Sequence, residues 1–462
     1  MKKSNFRSFN KWCGVCLVVG LVALASAASV RAQDDDAISS TAVAGMGVKF
    51  THVGPPTPKN GMAHARFGIP NIDSVPNFNG EYFTPGQDSN GNPQKHWYFN
   101  TLGNPPQMGG TTTLNAPIVP VTLDLRNADG SPRFVKVVGG VVTTCANPPG
   151  PGCQPLVFDP TPFIQPVLDS PVFSNANYTS SAAPTQFADA VARAEYFKSA
   201  KPDWHTLLAP SVKTGRTMTL LKAQPGKPIA YQFQLNPDGS CCFFVLINVF
   251  TFENELFPST FTFPPDSSTP IGAAEAAGDI TTKDVSTFFF PPAYLFFPTA
   301  TGGVGPCCIG GFHTFDQESG DASNGNATRA FILNYSTWDQ PIFRDKTILD
   351  VDGLSHEISE TYNDPFVVAD GVHDLTPWWL SPNGNCQNDL EVGDVIEGLP
   401  RQAFPITMPT ANGPFTYHPQ NEALLQWFEF QSPSTAINGA YSYPDITTLT
   451  ALSAPQKAGC AP

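Results

Sequence analysis

The residues with the clearest chemical potential lie in "LSHEISETYNDPF", residues 354–366, where His356, Glu357 and Glu360 fall within five positions. Positions i and i+4 share one face of an α-helix, so His356 and Glu360 are predicted to point the same way, with Glu357 one step around. Imidazole and carboxylate are both zinc ligands, and the spacing is that of the HExxH zinc helix with Glu replacing the second His. The stretch predicts half of a metal site.

Glu357 is predicted to be the general base of such a site. Zinc lowers the pKa of a bound water to about 7, so a neighbouring carboxylate can take its proton while the water attacks a carbonyl. The alternative interpretation is a polar helix without a metal, because one His and two Glu on an exposed helix face are common.

A catalytic zinc needs a third protein ligand. The candidates lie downstream, in "DGVHDL" and "NCQNDLEVGDVIEG": His373, Asp374, Asp389, Glu391, Asp394 and Glu397. No Lys or Arg occurs between Lys346 and Arg401, so a divalent cation would relieve the repulsion among these acids. Calcium is also compatible with the Asp, Asn and Gly content, although the EF-hand spacing is missing.

Three helices are predicted to surround this site. Residues 183–200 carry Phe187, Val191 and Ala194 on one face, and residues 421–430 form a shorter helix. The helix with the motif is expected to begin near residue 347 and to stop at Pro365, because Leu354, Ile358 and Tyr362 recur every four residues and proline cannot continue a helix.

Alternating apolar residues predict two β-hairpins, over 117–142 with the turn "NADGS" and over 231–250 with the turn "NPDGS". Long ordered loops are expected from 47 Pro and 38 Gly, packed around an aromatic core supplied by 35 Phe. The predicted fold class is α+β, with a β-hairpin-rich sheet core, a few helices and long loops.

The N-terminus is typical of a signal peptide. A basic segment precedes the apolar run "CGVCLVVGLVALASAA", and "VRA" favours cleavage before Gln33, with "ASA" at 25–27 as a rival site. We therefore predict a signal peptide at 1–32, an N-terminal leader and extension at 33–110, and a single metallopeptidase-like domain at 111–462. The mature protein is expected to be secreted, extracellular or periplasmic, without a membrane span.

Charge and cysteine content exclude some partners and predict disulfides. Residues 1–32 hold five Lys or Arg and no acid, so their removal changes the formal charge from −14 to −19, which argues against nucleic acid and anionic membranes. Eight cysteines remain, an even number that predicts disulfides in an exported chain. The best local pair is Cys145–Cys153, and the doublets at 241/242 and 307/308 could form vicinal bridges or pair with each other.

The sequence resembles a known family in three short motifs. "SHEISETYNDP" resembles the HExxExxxDP segment of bacterial secreted proteins related to the exordium / phosphate-induced family. "LEVGD", 390–394, matches the E-x-G-D core of a later element, and "CCIGGFHTF", 307–315, is similar to the "CGYH" element. The resemblance covers about residues 300–400. It implies a zinc-dependent peptidase-like domain, with His356 and Glu360 as ligands, Glu357 as base, and Glu391 or Asp394 completing the site.

Other histidines and aromatics have two interpretations each. His313 in "GFHTF" is more often a packed core residue, and its functional interpretation is a hydrogen-bond donor near the site. His418 is the better candidate for steadying the oxyanion and is included as a catalytic residue, although a helix cap explains it equally well. Trp378 and Trp379 could line a substrate groove, but simple packing is the commoner role of such pairs.

Three functions follow from these patterns. The first is a zinc-dependent peptidase-like hydrolase acting on a peptide or protein. The second is a non-catalytic extracellular module with a structural or vestigial metal site. The third is a glycosidase with two carboxylates, for which Glu357 and Glu360 on one helix are unusually placed.

Overall fold

The computed structural model describes residue 36 and residues 71–83, 96–179, 183–343, 346–367, 379–387 and 390–452. The predicted signal peptide and most of the predicted leader lie outside the described residues, as do His373, Asp374, Trp378 and Asp389. Within the described ranges, no helix is both long and apolar enough to cross a lipid bilayer.

Eight strands precede the first helix in the described part of the chain, and helices and strands follow in mixed order. The helices are α1 Thr161–Asp169, α2 Phe187–Glu195, α3 Val249–Leu256, α4 Pro270–Ala276, α5 Asp352–Asn363 and α6 Leu425–Phe428. The strands are β1 Ile72–Asp73, β2 Asn77–Phe83, β3 His96–Leu102, β4 Thr111–Arg126, β5 Phe134–Val138, β6 Val141–Thr144, β7 Gln154–Pro155, β8 Val157–Phe158, β9 His205–Val212, β10 Arg216–Leu221, β11 Tyr231–Gln234, β12 Phe244–Asn248, β13 Val285–Phe290, β14 Ala293–Pro298, β15 Val304–Ile309, β16 Gly311–Glu318, β17 Thr328–Thr337, β18 Trp379–Leu380, β19 Cys386–Gln387, β20 Ile406–Thr410, β21 Gly413–Tyr417, β22 Glu422–Ala423 and β23 Ser442–Tyr443.

The largest sheet is mainly parallel. Its order is β1-β17-β13-β4-β10, with β9 beside β4 as a further parallel strand and with β16 and β8 added antiparallel to β17 and β4. A second sheet has the order β11-β12-β14-β15, and five small sheets of two or three strands lie elsewhere in the described part of the chain. The mixture of α and β structure is as predicted, but the main sheet is not built from hairpins.

The predicted hairpin over 117–142 is wrong. The turn after β4 forms, with a single antiparallel bridge between Arg126 and Pro132, but β5 pairs with β6 and β7 rather than with β4. Over 119–126, β4 alternates between buried and half-buried residues, as a strand with one buried face does, and only residues 116–119 are buried on both faces between the two cores. The predicted hairpin over 231–250 is confirmed, since β11 and β12 pair antiparallel across their turn.

The large sheet divides two hydrophobic cores. On β4, Leu114 and Ile118 belong to the first core, whereas Val121 and Leu123 belong to the second. Helix α5 packs on β16 and β17 at the first core, which also contains its apolar stripe. One face of β16 and β17 is therefore covered by the helix that carries the motif.

The predicted helices form with altered ends. Helix α2 buries the expected Phe187, Val191 and Ala194, and α5 buries the expected stripe. Helix α5 begins at Asp352, five residues later than expected, and ends before Pro365 as predicted. The third predicted helix is largely wrong: only Leu425–Phe428 is helical, because residues 422–423 pair with β23.

Three disulfides occur among the described cysteines. The predicted bridge between Cys145 and Cys153 is present. Each doublet forms a vicinal bridge, Cys241 with Cys242 and Cys307 with Cys308, which is one of the two alternatives left open by the sequence.

Candidate metal centre

Helix α5 brings the three residues of the motif into the interior. All twelve of its residues are buried, so the polar face is covered as fully as the apolar stripe. The apolar face packs on the sheet, and Thr361 Oγ1 donates to Asn334 Oδ1 of β17 at 2.7 Å. The polar face meets the loop that contains "LEVGD", so the motif is not an exposed helix face.

The first group of possible metal ligands consists of His356, Glu360 and Asp394. His356 Nε2 lies 3.1 Å from Glu360 Oε1 and 3.5 Å from Asp394 Oδ1. The helix and the loop are joined directly, because Glu360 Oε1 also accepts the backbone N–H of Gly393 at 3.0 Å. Chain segments more than thirty residues apart in sequence thus meet around one imidazole nitrogen, as the sequence predicted.

The second group contains His313, Glu357 and Glu360. His313 Nδ1 lies 3.1 Å from Glu360 Oε2, 3.6 Å from Glu357 Oε2 and 3.8 Å from Glu391 Oε2. Strand alternation explains the position of His313, since Phe315 on the same face of β16 belongs to the core beneath α5. His313 therefore lies at the site, which favours the second of its two sequence interpretations, a hydrogen-bond donor near the site.

Glu391 and Asp394 are both part of the centre. The sequence left open which of the two completes the site, and the structure places each beside a different histidine. Both carboxylates are almost fully buried. Asp394 belongs to the first group of possible ligands, whereas Glu391 and Glu397, in the same loop, belong to neither group.

The loop of Glu391 and Asp394 is held from several sides. Asn383 donates to the carbonyl oxygen of Asp394 at 2.6 Å, and Gln420 donates to that of Gly393 at 2.8 Å. Asp364, at the end of α5, accepts the N–H of Leu390 at 3.4 Å. These bonds hold the backbone of the loop from which the side chains of Glu391 and Asp394 extend.

Two glycines allow the close approach of the site residues. A Cβ on Gly393 would lie 2.6 Å from Cγ and Nδ1 of the His356 ring, and a Cβ on Gly311 would lie 2.6 Å from Cγ of Glu357. Real Cβ atoms essentially never come this close to another heavy atom. Only glycine at these positions leaves room for the observed imidazole and carboxylate.

The electrostatics couple the histidines to the acids. Burial alone would raise the pKa of the Glu360 carboxyl, but His356 and His313 hold that pKa well below its usual range. Burial opposes a charge on His313, yet Glu357 and Glu360 raise its pKa to about 10. The pKa of Glu357 is raised, because its desolvation outweighs the attraction of the two imidazoles. In the absence of a metal, protons compensate part of the acid charge.

A fifth acid near the centre was not found from the sequence. Glu422 is completely buried, and its burial raises its pKa well above the usual range, while His356 opposes the rise. The residue lies on β22 in a segment predicted to be helical, so the pattern gave no signal for it.

His418 lies beside the N-terminus of α5 and belongs to neither group of possible metal ligands. Its Nδ1 is 2.7 Å from Asp350 Oδ2, and its backbone N–H donates to Asp350 Oδ1 at 2.8 Å. Asp350 also accepts the N–H of Val351, the residue before the helix. This arrangement is that of a residue bracing the helix N-terminus, and the predicted catalytic role of His418 stays a prediction.

The donor atoms fit a divalent metal ion. At metal–ligand distances of about 2.0–2.2 Å, neighbouring ligands stand about 3–3.5 Å apart. The separations of 3.1 and 3.5 Å in the first group are of this size, whereas two of those around His313, 3.6 and 3.8 Å, are longer. Mixed imidazole and carboxylate ligands suit zinc and several other divalent transition metals.

Comparisons with known proteins give no relative for this chain. No family model, no curated protein and no solved structure matches it. The resemblance to the exordium / phosphate-induced family therefore stays a prediction that depends on three short motifs.

Proposed function

We propose that the protein is an exported, zinc-dependent hydrolase of the peptidase type, acting on an amide bond of a peptide or protein. The observation that carries the proposal is the convergence of His356, Glu360 and Asp394, with Glu357 Oε1 only 3.9 Å from the same imidazole nitrogen, His356 Nε2. Three possible zinc ligands and a carboxylate that could act as general base thus lie together in the interior, around His356 Nε2.

A zinc ion held by these donors would lower the pKa of a bound water and polarise a carbonyl oxygen. Glu357 would accept a proton from the water and pass it to the leaving amine. His313, within 3.6 Å of Glu357, would hold that carboxylate in position. His418 remains the predicted candidate for steadying the oxyanion.

The proposed base is tested by the substitution Glu357→Gln, which keeps the side-chain shape and removes the basic oxygen. Cleavage of a fluorogenic peptide library should fall by about 10²- to 10⁴-fold, while one zinc per chain is retained at His356, Glu360 and Asp394. Glu255→Gln on α3 is the matched control and should leave cleavage unchanged. Full activity of Glu357→Gln on a substrate that the unmodified protein cleaves would refute the mechanism.

A second candidate function is a non-catalytic extracellular module whose metal is structural. The burial of the centre favours it, because His313 is inaccessible and Glu391 is only 1% exposed. Structural zinc sites use four protein ligands and no water. X-ray absorption on the zinc-loaded protein distinguishes the two candidates, since a coordinated water supports the hydrolase and four protein ligands support the module.

The glycosidase interpretation gains no support from the geometry. Glu357 and Glu360 both approach the same nitrogen of His313, at 3.6 and 3.1 Å. Acids that flank a sugar must stand about 5 Å or more apart on opposite sides of the scissile bond. The two carboxylates therefore do not have the arrangement of a glycosidase pair.

A further inference from the structure

The two oxygens of Glu360 face two different histidines. Oε1 lies 3.1 Å from His356 Nε2, and Oε2 lies 3.1 Å from His313 Nδ1. Each separation is the distance expected between two ligands of one metal ion. A carboxylate that meets a separate donor at each oxygen is in the position of a bridge between two ions.

The other three acids are also distributed between the two histidines. Glu357 points Oε1 towards His356 at 3.9 Å and Oε2 towards His313 at 3.6 Å. Asp394 stands beside His356, and Glu391 stands beside His313. Each histidine therefore has its own carboxylate and shares two others.

The charge of the centre is sufficient for two cations. The four carboxylates of Glu357, Glu360, Glu391 and Asp394 are each at most 4% exposed, so water screens them little. One dication balances two of these four negative charges, and a second dication balances the other two in place of protons. Carboxylate-bridged pairs of ions stand about 3.5–4 Å apart in other proteins, which suits a single bridging side chain.

We propose that the centre has a second divalent-cation position, formed by His313, Glu357, Glu360 and Glu391, next to the position at His356. The inference rests on the proposed function in one respect, because it takes the zinc position at His356 as the first of the two. Binding at the second position takes the Glu357 carboxylate as a ligand, so the proposed base is no longer free to accept a proton. Excess zinc should therefore inhibit the hydrolase.

The test is a zinc titration of the metal-free, full-length mature protein, followed by calorimetry and by elemental mass spectrometry after gel filtration. The unmodified protein should bind two zinc ions, and its peptide cleavage should fall as the second ion binds. His313→Ala should bind one. His205→Ala is the control, since His205 pairs with Asp189 away from the centre and should leave two ions bound. Glu391→Gln, which preserves shape, should weaken the second ion at least about tenfold.

The outcomes separate this inference from the proposed function. Saturation at one zinc, or two zinc ions bound by His313→Ala, would overturn the second position even if peptides are cleaved. Two zinc ions in the unmodified protein and one in His313→Ala, without cleavage of any peptide, would support the second position and contradict the hydrolase.

Discussion

Replacement of Gly393 by alanine should weaken zinc binding, although it changes none of the proposed ligand residues. The added Cβ would lie 2.6 Å from Cγ and Nδ1 of His356 and 2.7 Å from its Cε1. Carbon atoms in contact prefer separations of about 3.5–4.0 Å, so the ring or the loop must move by about 1 Å. The loop is tied to the helix through the bond from Gly393 N–H to Glu360, so the movement displaces Asp394 as well.

The expected magnitudes follow from this displacement. Overpacking of a tight interior costs about 1–3 kcal/mol of unfolding free energy. Disturbing the groups that orient metal ligands typically weakens binding by about 10- to 100-fold. We therefore expect Gly393→Ala to lose both stability and zinc affinity.

Competition with a chromophoric chelator measures the affinity, and urea unfolding measures the stability. Gly150→Ala is the matched control, because nothing lies within 4 Å of a Cβ at that glycine, and both quantities should stay unchanged. If Gly393→Ala bound zinc as tightly as the unmodified protein and unfolded at the same urea concentration, the packing of the loop against His356 would be wrong.

Three further perturbations test other parts of the molecule. Burial, with Asp316 and Glu318 nearby, raises the pKa of Glu275 to about 10, so its stabilising contribution is complete below about pH 4.5 and is lost as the pH rises towards 10. Glu275→Gln should therefore be more stable than the unmodified protein by about 1–3 kcal/mol at about pH 8 and should differ little from it at about pH 4. Urea unfolding that showed an equal difference at both pH values would contradict this prediction. Removal of zinc should lower the Tm, since a ligand present at about 100 times its Kd stabilises the folded protein by about 2.7 kcal/mol. An identical calorimetric Tm with and without chelator would count against a bound metal. Thr361→Val removes the hydrogen bond to Asn334 and should cost about 1–3 kcal/mol, whereas a loss near zero in chemical unfolding would show that this bond does not hold α5 on the sheet.

The elements that sequence could predict are those with a local cause. The hairpin over 231–250 follows from its turn, and the end of α5 follows from Pro365. The partners of β4 could not be predicted, because alternation indicates a strand with one buried face but not which strands lie beside it. Parallel partners such as β9 and β13 are distant in sequence and leave no local signal.

The part of the candidate site that lies on helix α5 could be predicted from the sequence. The spacing of His356 and Glu360 determines that they share a face, and the charge imbalance pointed to an acid from the 390s. For His313 the sequence favoured a core role over a role at the site, because a lone histidine between aromatic residues is more often packed in the core, and only the register of β16 with β17 beneath α5 shows which residues it faces. Glu422 comes from a short strand whose pairing is set by tertiary contacts.

The central claim is that the motif helix and the loop of residues 390–396 share a cation. The most direct test is an anomalous difference map, at the zinc absorption edge, from crystals of the zinc-loaded protein. We expect a peak about 2.0–2.2 Å from His356 Nε2, Glu360 Oε1 and Asp394 Oδ1. A zinc-loaded crystal with no peak between these three atoms, or with zinc bound only elsewhere, would contradict the claim.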